Sequence, residues 1–85
     1  MFDFEKYRGK MPDLLLEALQ RYVMEHCHTG SFLHSVLTNN LLMAVSHGDD
    51  DSLASLREII RLLVNEVPSE CWGTESKVKE WLKPK

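Results

Sequence analysis

Apolar positions recur at helical spacing along most of this chain, and the pattern predicts four helices and no strands. The first is expected from Pro12 to about Glu25 or His26. Proline suits a first helical position because its missing N–H costs nothing there, and Asp13 complements the positive end of the helix dipole. Leu15, Leu19, Tyr22 and Val23 form its stripe, and Thr29-Gly30 is the expected stop. The second helix is expected from Ser31, as its cap, to about His47, with Gly48 ending it. Its stripe is Leu33, Val36, Leu37, Asn40, Leu41 and Ala44, but Phe32, Leu42, Met43 and Val45 make the other sides apolar too. A helix apolar all round is surrounded by protein, so this one belongs at the centre of the bundle or in a subunit interface.

Asp49-Asp50-Asp51-Ser52 supplies a cap and negative charge for a third helix, striped by Leu53, Leu56, Ile59, Ile60, Leu63 and Val67. Pro68 ends it. After the connector Cys71-Trp72-Gly73, Thr74 caps a short fourth helix carrying Val78, Trp81 and Leu82, which Pro84 stops. The expected fold class is therefore all-α, a compact bundle of about four short helices joined by short connectors. Residues 11–83 form the single helical domain. Residues 1–10, polar but carrying Phe2, Phe4 and Tyr7, form an N-terminal arm or extension, or a segment that lies across a neighbour.

With 85 residues the chain suffices for one domain, marginal as a lone monomer at the ~60% surface burial usual for this size. A composition 44% hydrophobic and 27% charged is that of a globular protein. The net charge of −3, from 13 acidic and 10 basic residues, argues against duplex binding, where phosphate neutralisation dominates affinity. Lys77, Lys79, Lys83 and Lys85 cluster near the end, as a solvated helix face does. No apolar run is long enough to span a bilayer, and the charged N-terminal residues do not form an export signal. Cys27 and Cys71 are expected as free thiols in a cytoplasmic, reducing setting.

Four constellations could carry chemistry. His26-Cys27-His28, with His34 and His47, holds zinc-type ligands, but adjacent residues at a helix end diverge and Cys-x-x-Cys spacing is absent, so no metal or other cofactor is expected. Cys71 would need an imidazole beside it to act as a nucleophile, and so small a chain leaves little room for a water-excluding cleft; no enzyme is expected. The run of aspartates lacks the alternating oxygen ligands and central glycine of a calcium loop. Finally, Asn39-Asn40 interrupts an apolar helix. Asn40 reads either as a structural hydrogen-bonding group or as part of a binding site with Arg61, Asn65 and Trp72, the arginine clamping an anion and the indole stacking. Trp72 reads equally as a side chain closing a small core.

Gly30-Ser31-Phe32-Leu33, Val36-Leu37, Asn39, Leu41 and Ala44, the acidic turn, Asn65-Glu66-x-Pro68-x-x-Cys71-Trp72-Gly73 and Trp81 together resemble a family of small, largely uncharacterised proteins encoded by phages and prophages. The resemblance covers residues 11–82. Two positions depart from it: Cys27-His28-Thr29 stands where relatives have proline, and Asn40 where they have aspartate. The resemblance implies a genetic setting in which small non-catalytic proteins act by binding. The expected function is a homo-oligomeric binding protein that counters or modulates a host function, its partner a host protein or a nucleotide-like small molecule. The alternative is a small DNA-associated regulator of transcription or replication.

Overall fold

In the computed structural model, which describes residues 3–83, the chain is all-helical and compact. The expectations that rest on Phe2, Pro84 and Lys85 fall outside those residues. Six α-helices stand among the described residues where about four were expected: α1 (Asp13–Glu25), α2 (Ser31–Leu37), α3 (Leu41–His47), α4 (Asp50–Ala54), α5 (Leu56–Glu66) and α6 (Glu75–Leu82). Single 3₁₀ turns precede α1 (Glu5–Tyr7) and α6 (Ser69–Cys71).

The increase comes from two breaks. The expected second helix is divided at Asn39, whose φ of 62° is left-handed. Around it the chain closes α2 with paired bonds: the Asn39 amide donates to the Val36 carbonyl at 3.1 Å and the Asn40 amide to the Ser35 carbonyl at 2.8 Å. Asn40 then opens α3, its side-chain oxygen accepting from the Met43 amide at 3.3 Å. Asparagine is among the few residues that tolerate the left-handed position, and it is also a leading N-cap, so the pair is a helix terminator followed by a helix initiator. The expected third helix is interrupted at Ser55, whose amide bonds back to the Ser52 carbonyl at 3.1 Å and whose hydroxyl donates to the Asp51 carbonyl at 2.9 Å.

Caps set the other boundaries. Asp49 accepts from the Ser52 amide at 2.8 Å and Thr74 from the Lys77 amide at 3.2 Å, as the sequence leads one to expect. That bond from the Ser52 amide is the main influence holding the Asp49 carboxyl below its usual range. Helix α1 ends at His26, left-handed at φ 58°, rather than at Thr29-Gly30; Gly30 is instead the residue before α2.

The core gathers Leu16, Leu19, Tyr22 and Val23 from α1, Phe32, Leu33, Val36 and Leu37 from α2, Ala44 from α3, and Ile59, Leu62 and Leu63 from α5, closed by Val67, Cys71 and Val78. Helix α3 packs mainly on α2. Gly48 is required there: a Cβ at that position would stand 2.7 Å from the Phe32 ring. Residues 3–11 belong to the same body. Phe4, Tyr7 and Met11 are buried in the core, the Asp3 amide donates to the Glu66 carboxylate at 3.1 Å, and Lys6 pairs with that carboxylate at 2.6 Å. At the opposite end Trp81 ties α6 to α1. Its indole N–H donates to the Tyr22 carbonyl at 2.8 Å, the His26 ring lies against it with centroids 4.3 Å apart, and His26 Nδ1 donates to the Trp81 carbonyl at 2.6 Å. No helix of the described residues is long and apolar enough to cross a membrane.

Candidate functional site

The structure does not bring Asn40, Arg61, Asn65 and Trp72 into one cleft. Asn40 caps α3 and lines a cleft that includes none of the other three. Arg61 is exposed on α5 and pairs at 3.6 Å with Glu58, one turn earlier. Asn65, one turn beyond Arg61, donates through Nδ2 to the Tyr7 hydroxyl at 3.4 Å, so it holds the N-terminal segment. Trp72 is half-buried against the core, and its indole N–H donates to the Val67 carbonyl at 3.4 Å. Gly73, at φ 109°, passes its amide to the Leu37 carbonyl at 2.6 Å, which seats the connector on the end of α2.

Cys71 sits in the floor of that connector, fully buried. Burial pushes its thiol up to about 11, and the S–H donates to the Pro68 carbonyl at 3.3 Å. A nucleophilic cysteine needs the reverse, an accessible thiolate favoured by a neighbouring positive charge. The thiol behaves as a small apolar filler.

The largest concentration of polar side chains around an opening lies elsewhere. Helices α2 and α3, the turn before α2 and the first turn of α6 enclose an open cleft of about 520 Å³. It is lined by His28, His34 and His47, by Asn40 and the hydroxyl residues of α2, and by Glu75. A second cleft of about 430 Å³ shares His28, His34 and Glu75 and continues along α6 to Lys79, Leu82 and Lys83. Among the described residues no group of three or more His, Cys, Asp or Glu side chains is disposed to hold a metal ion.

The sequence pattern hides this cleft for a geometric reason. In one unbroken helix, His34 and His47 would lie about 20 Å apart along the axis. The left-handed turn at Asn39 is what allows both to line one opening. The signal was present in Asn39-Asn40, a pair suited to ending one helix and starting another. His26 is separated from the cleft by its stacking on Trp81, and Cys27 is exposed, so the three adjacent residues do diverge.

A smaller opening is mainly apolar. Val36, Leu41, Ala44, Leu56 and Ile60, with Ser35, Asn39 and Asn40, line a shallow notch of about 120 Å³ where α3 meets α5. Leu41 (66% exposed), Leu42 (80%), Met43 and Val45 of α3, and Ile60 and Val64 of α5, stand in solvent. Comparison of the chain with protein-family models, with curated proteins and with solved structures finds no match.

Proposed function

We propose that this chain is a non-catalytic binding protein that works as a homo-oligomer. The observation that carries this reading is the solvent exposure of Leu41, Leu42, Met43 and Val45, four apolar side chains on a helix of seven residues. Single exposed leucines are ordinary, whereas clustered ones mark contact surfaces. Ile60 and Val64 extend the cluster onto α5. The same pair of helices carries protruding leucines and an apolar notch, and a surface holding both can satisfy itself across a two-fold axis.

The buried, protonated Cys71 supports a role without covalent chemistry. Countering or modulating a host function by capture is the role that the resemblance to small phage and prophage proteins suggests. A ligand-sized polar cleft of about 520 Å³ favours a small molecule of nucleotide type over a host protein as the captured partner. Light scattering at micromolar concentration tests the first step. A mass that is a multiple of the single chain supports the reading, and a clean monomer removes its oligomeric half.

A further inference from the structure

We infer that the cleft between α2, α3 and α6 is a binding trough for a small phosphate-bearing anion. This deepens the reading of the chain as a binding protein and rests on it.

Charge distribution carries the inference. The chain as a whole bears −3, yet the two adjoining clefts face three imidazoles and two ammonium groups against a single carboxylate. His28 comes from the turn before α2, His34 from α2 and His47 from α3; Lys79 and Lys83 come from α6, and Glu75 is the opposing acid. Lys83 is already engaged by Glu80 at 2.9 Å, outside the trough lining. Lys79 is therefore left to offset Glu75, and the imidazoles add ring N–H donors. His28, His34 and Glu75 line both clefts, so the openings adjoin, which suits an elongated ligand.

Neutral donors point the same way. The cap on α3 uses only the side-chain oxygen of Asn40, so its Nδ2 group can donate to a bound oxygen. Imidazole, ammonium and amide groups can all donate, and a fully ionised phosphate presents acceptors alone.

The test is calorimetric titration of the full chain with pyrophosphate and with ADP, using sulfate for comparison. Pyrophosphate is expected to bind more tightly than sulfate. His34→Gln should weaken binding with the circular dichroism spectrum unchanged, and Glu75→Gln should tighten it. These opposite signs are not produced by a merely structural disturbance. If His34→Gln perturbs the spectrum, Lys79→Ala serves instead, since Lys79 is exposed. ADP binding more tightly than pyrophosphate supports a nucleotide ligand; equal affinities support recognition of the phosphates alone. No heat with either probe, affinity no better than for sulfate, or indifference to both His34→Gln and Glu75→Gln overturns the inference. A monomer that binds pyrophosphate would remove self-association alone, and an oligomer that ignores it would remove the trough alone.

Discussion

The Tyr22 hydroxyl donates to the Cys71 carbonyl at 2.6 Å, across 49 positions of sequence. This buried bond fastens the start of the Cys71-Trp72-Gly73 connector to α1, while Gly73 fastens its far end to α2. A connector containing an aromatic and a thiol is thus a fixed piece of the core. Tyr22→Phe leaves the carbonyl without its donor inside the fold. It should cost about 1–3 kcal/mol, read as a lower urea midpoint with unchanged slope. Burial also pushes the Tyr22 phenol above its ordinary value. The unfolded chain would then release this proton first as pH rises, so stability should fall above about pH 10, and less steeply in Tyr22→Phe. Equal stability of the two chains would mean that the bond contributes nothing net.

The Lys6–Glu66 pair makes docking of the N-terminal segment depend on pH. The Lys6 hydrogen bond, helped by the Asp3 amide, holds the Glu66 carboxyl below the usual range, and Glu66 in turn raises the Lys6 ammonium. A lowered carboxyl contributes stability above its unfolded value, about 4.3, and loses it as pH falls through the folded one. A raised ammonium contributes below its unfolded value, about 10.4, and loses it as pH climbs through the folded one. The protection of the Tyr7 and Arg8 amides, taken relative to their intrinsic exchange rates, should therefore be highest across the middle range and fall in acid. Glu66→Gln should abolish the acid limb; an identical limb in that variant would assign it to another group.

The two thiols should differ sharply in reactivity. Cys27 is exposed and Cys71 is buried and pushed up to about 11. A disulfide-exchange reagent at neutral pH should label one thiol per folded chain rapidly and the second only on unfolding. Cys71→Ser should lower the melting temperature, because a hydroxyl replaces a sulfur in an apolar setting. Rapid labelling of both thiols in the folded chain would contradict the closed connector.

Much of the fold was legible because caps and stripes act locally. Asp49 and Thr74 cap as their types and positions indicate, and Leu19, Tyr22, Val23, Leu33, Val36, Leu37, Ile59 and Leu63 are buried as their spacing requires. What was lost follows from treating apolar continuity as helical continuity. Leu37 and Leu41 fit one stripe, but the backbone between them turns left-handed at Asn39, and periodicity does not register a single φ. The same error placed Asn40 in the stripe of a single helix and concealed the cleft that it lines. The packed arm was obscured differently: Phe4, Tyr7 and Met11 stand at i, i+3 and i+7, but Gly9 and Pro12 interrupt any helix over them, and it is tertiary packing that buries them. Asn39 offers a direct check. Asn39→Gly should leave stability within a few tenths of a kcal/mol, whereas Asn39→Ala should cost about 1 kcal/mol by forcing a Cβ into the left-handed region. An alanine variant that gained stability would restore the single long helix.

Leu42 separates assembly from folding. It is 80% exposed and its side chain contributes little to the core of its own chain, so Leu42→Glu should change the stability of the isolated subunit by no more than about 0.5 kcal/mol. Across a subunit interface the same carboxylate would be forced out of water, and association should weaken by at least tenfold, about 1.4 kcal/mol. Sedimentation equilibrium gives the association constant, and urea titration at low concentration gives the subunit stability. A variant that loses mass in solution but keeps its midpoint locates the contact on α3. Val64→Glu should do the same if α5 completes that surface, since Val64 is also exposed. Unchanged association in both variants would move the contact away from α3 and α5 altogether.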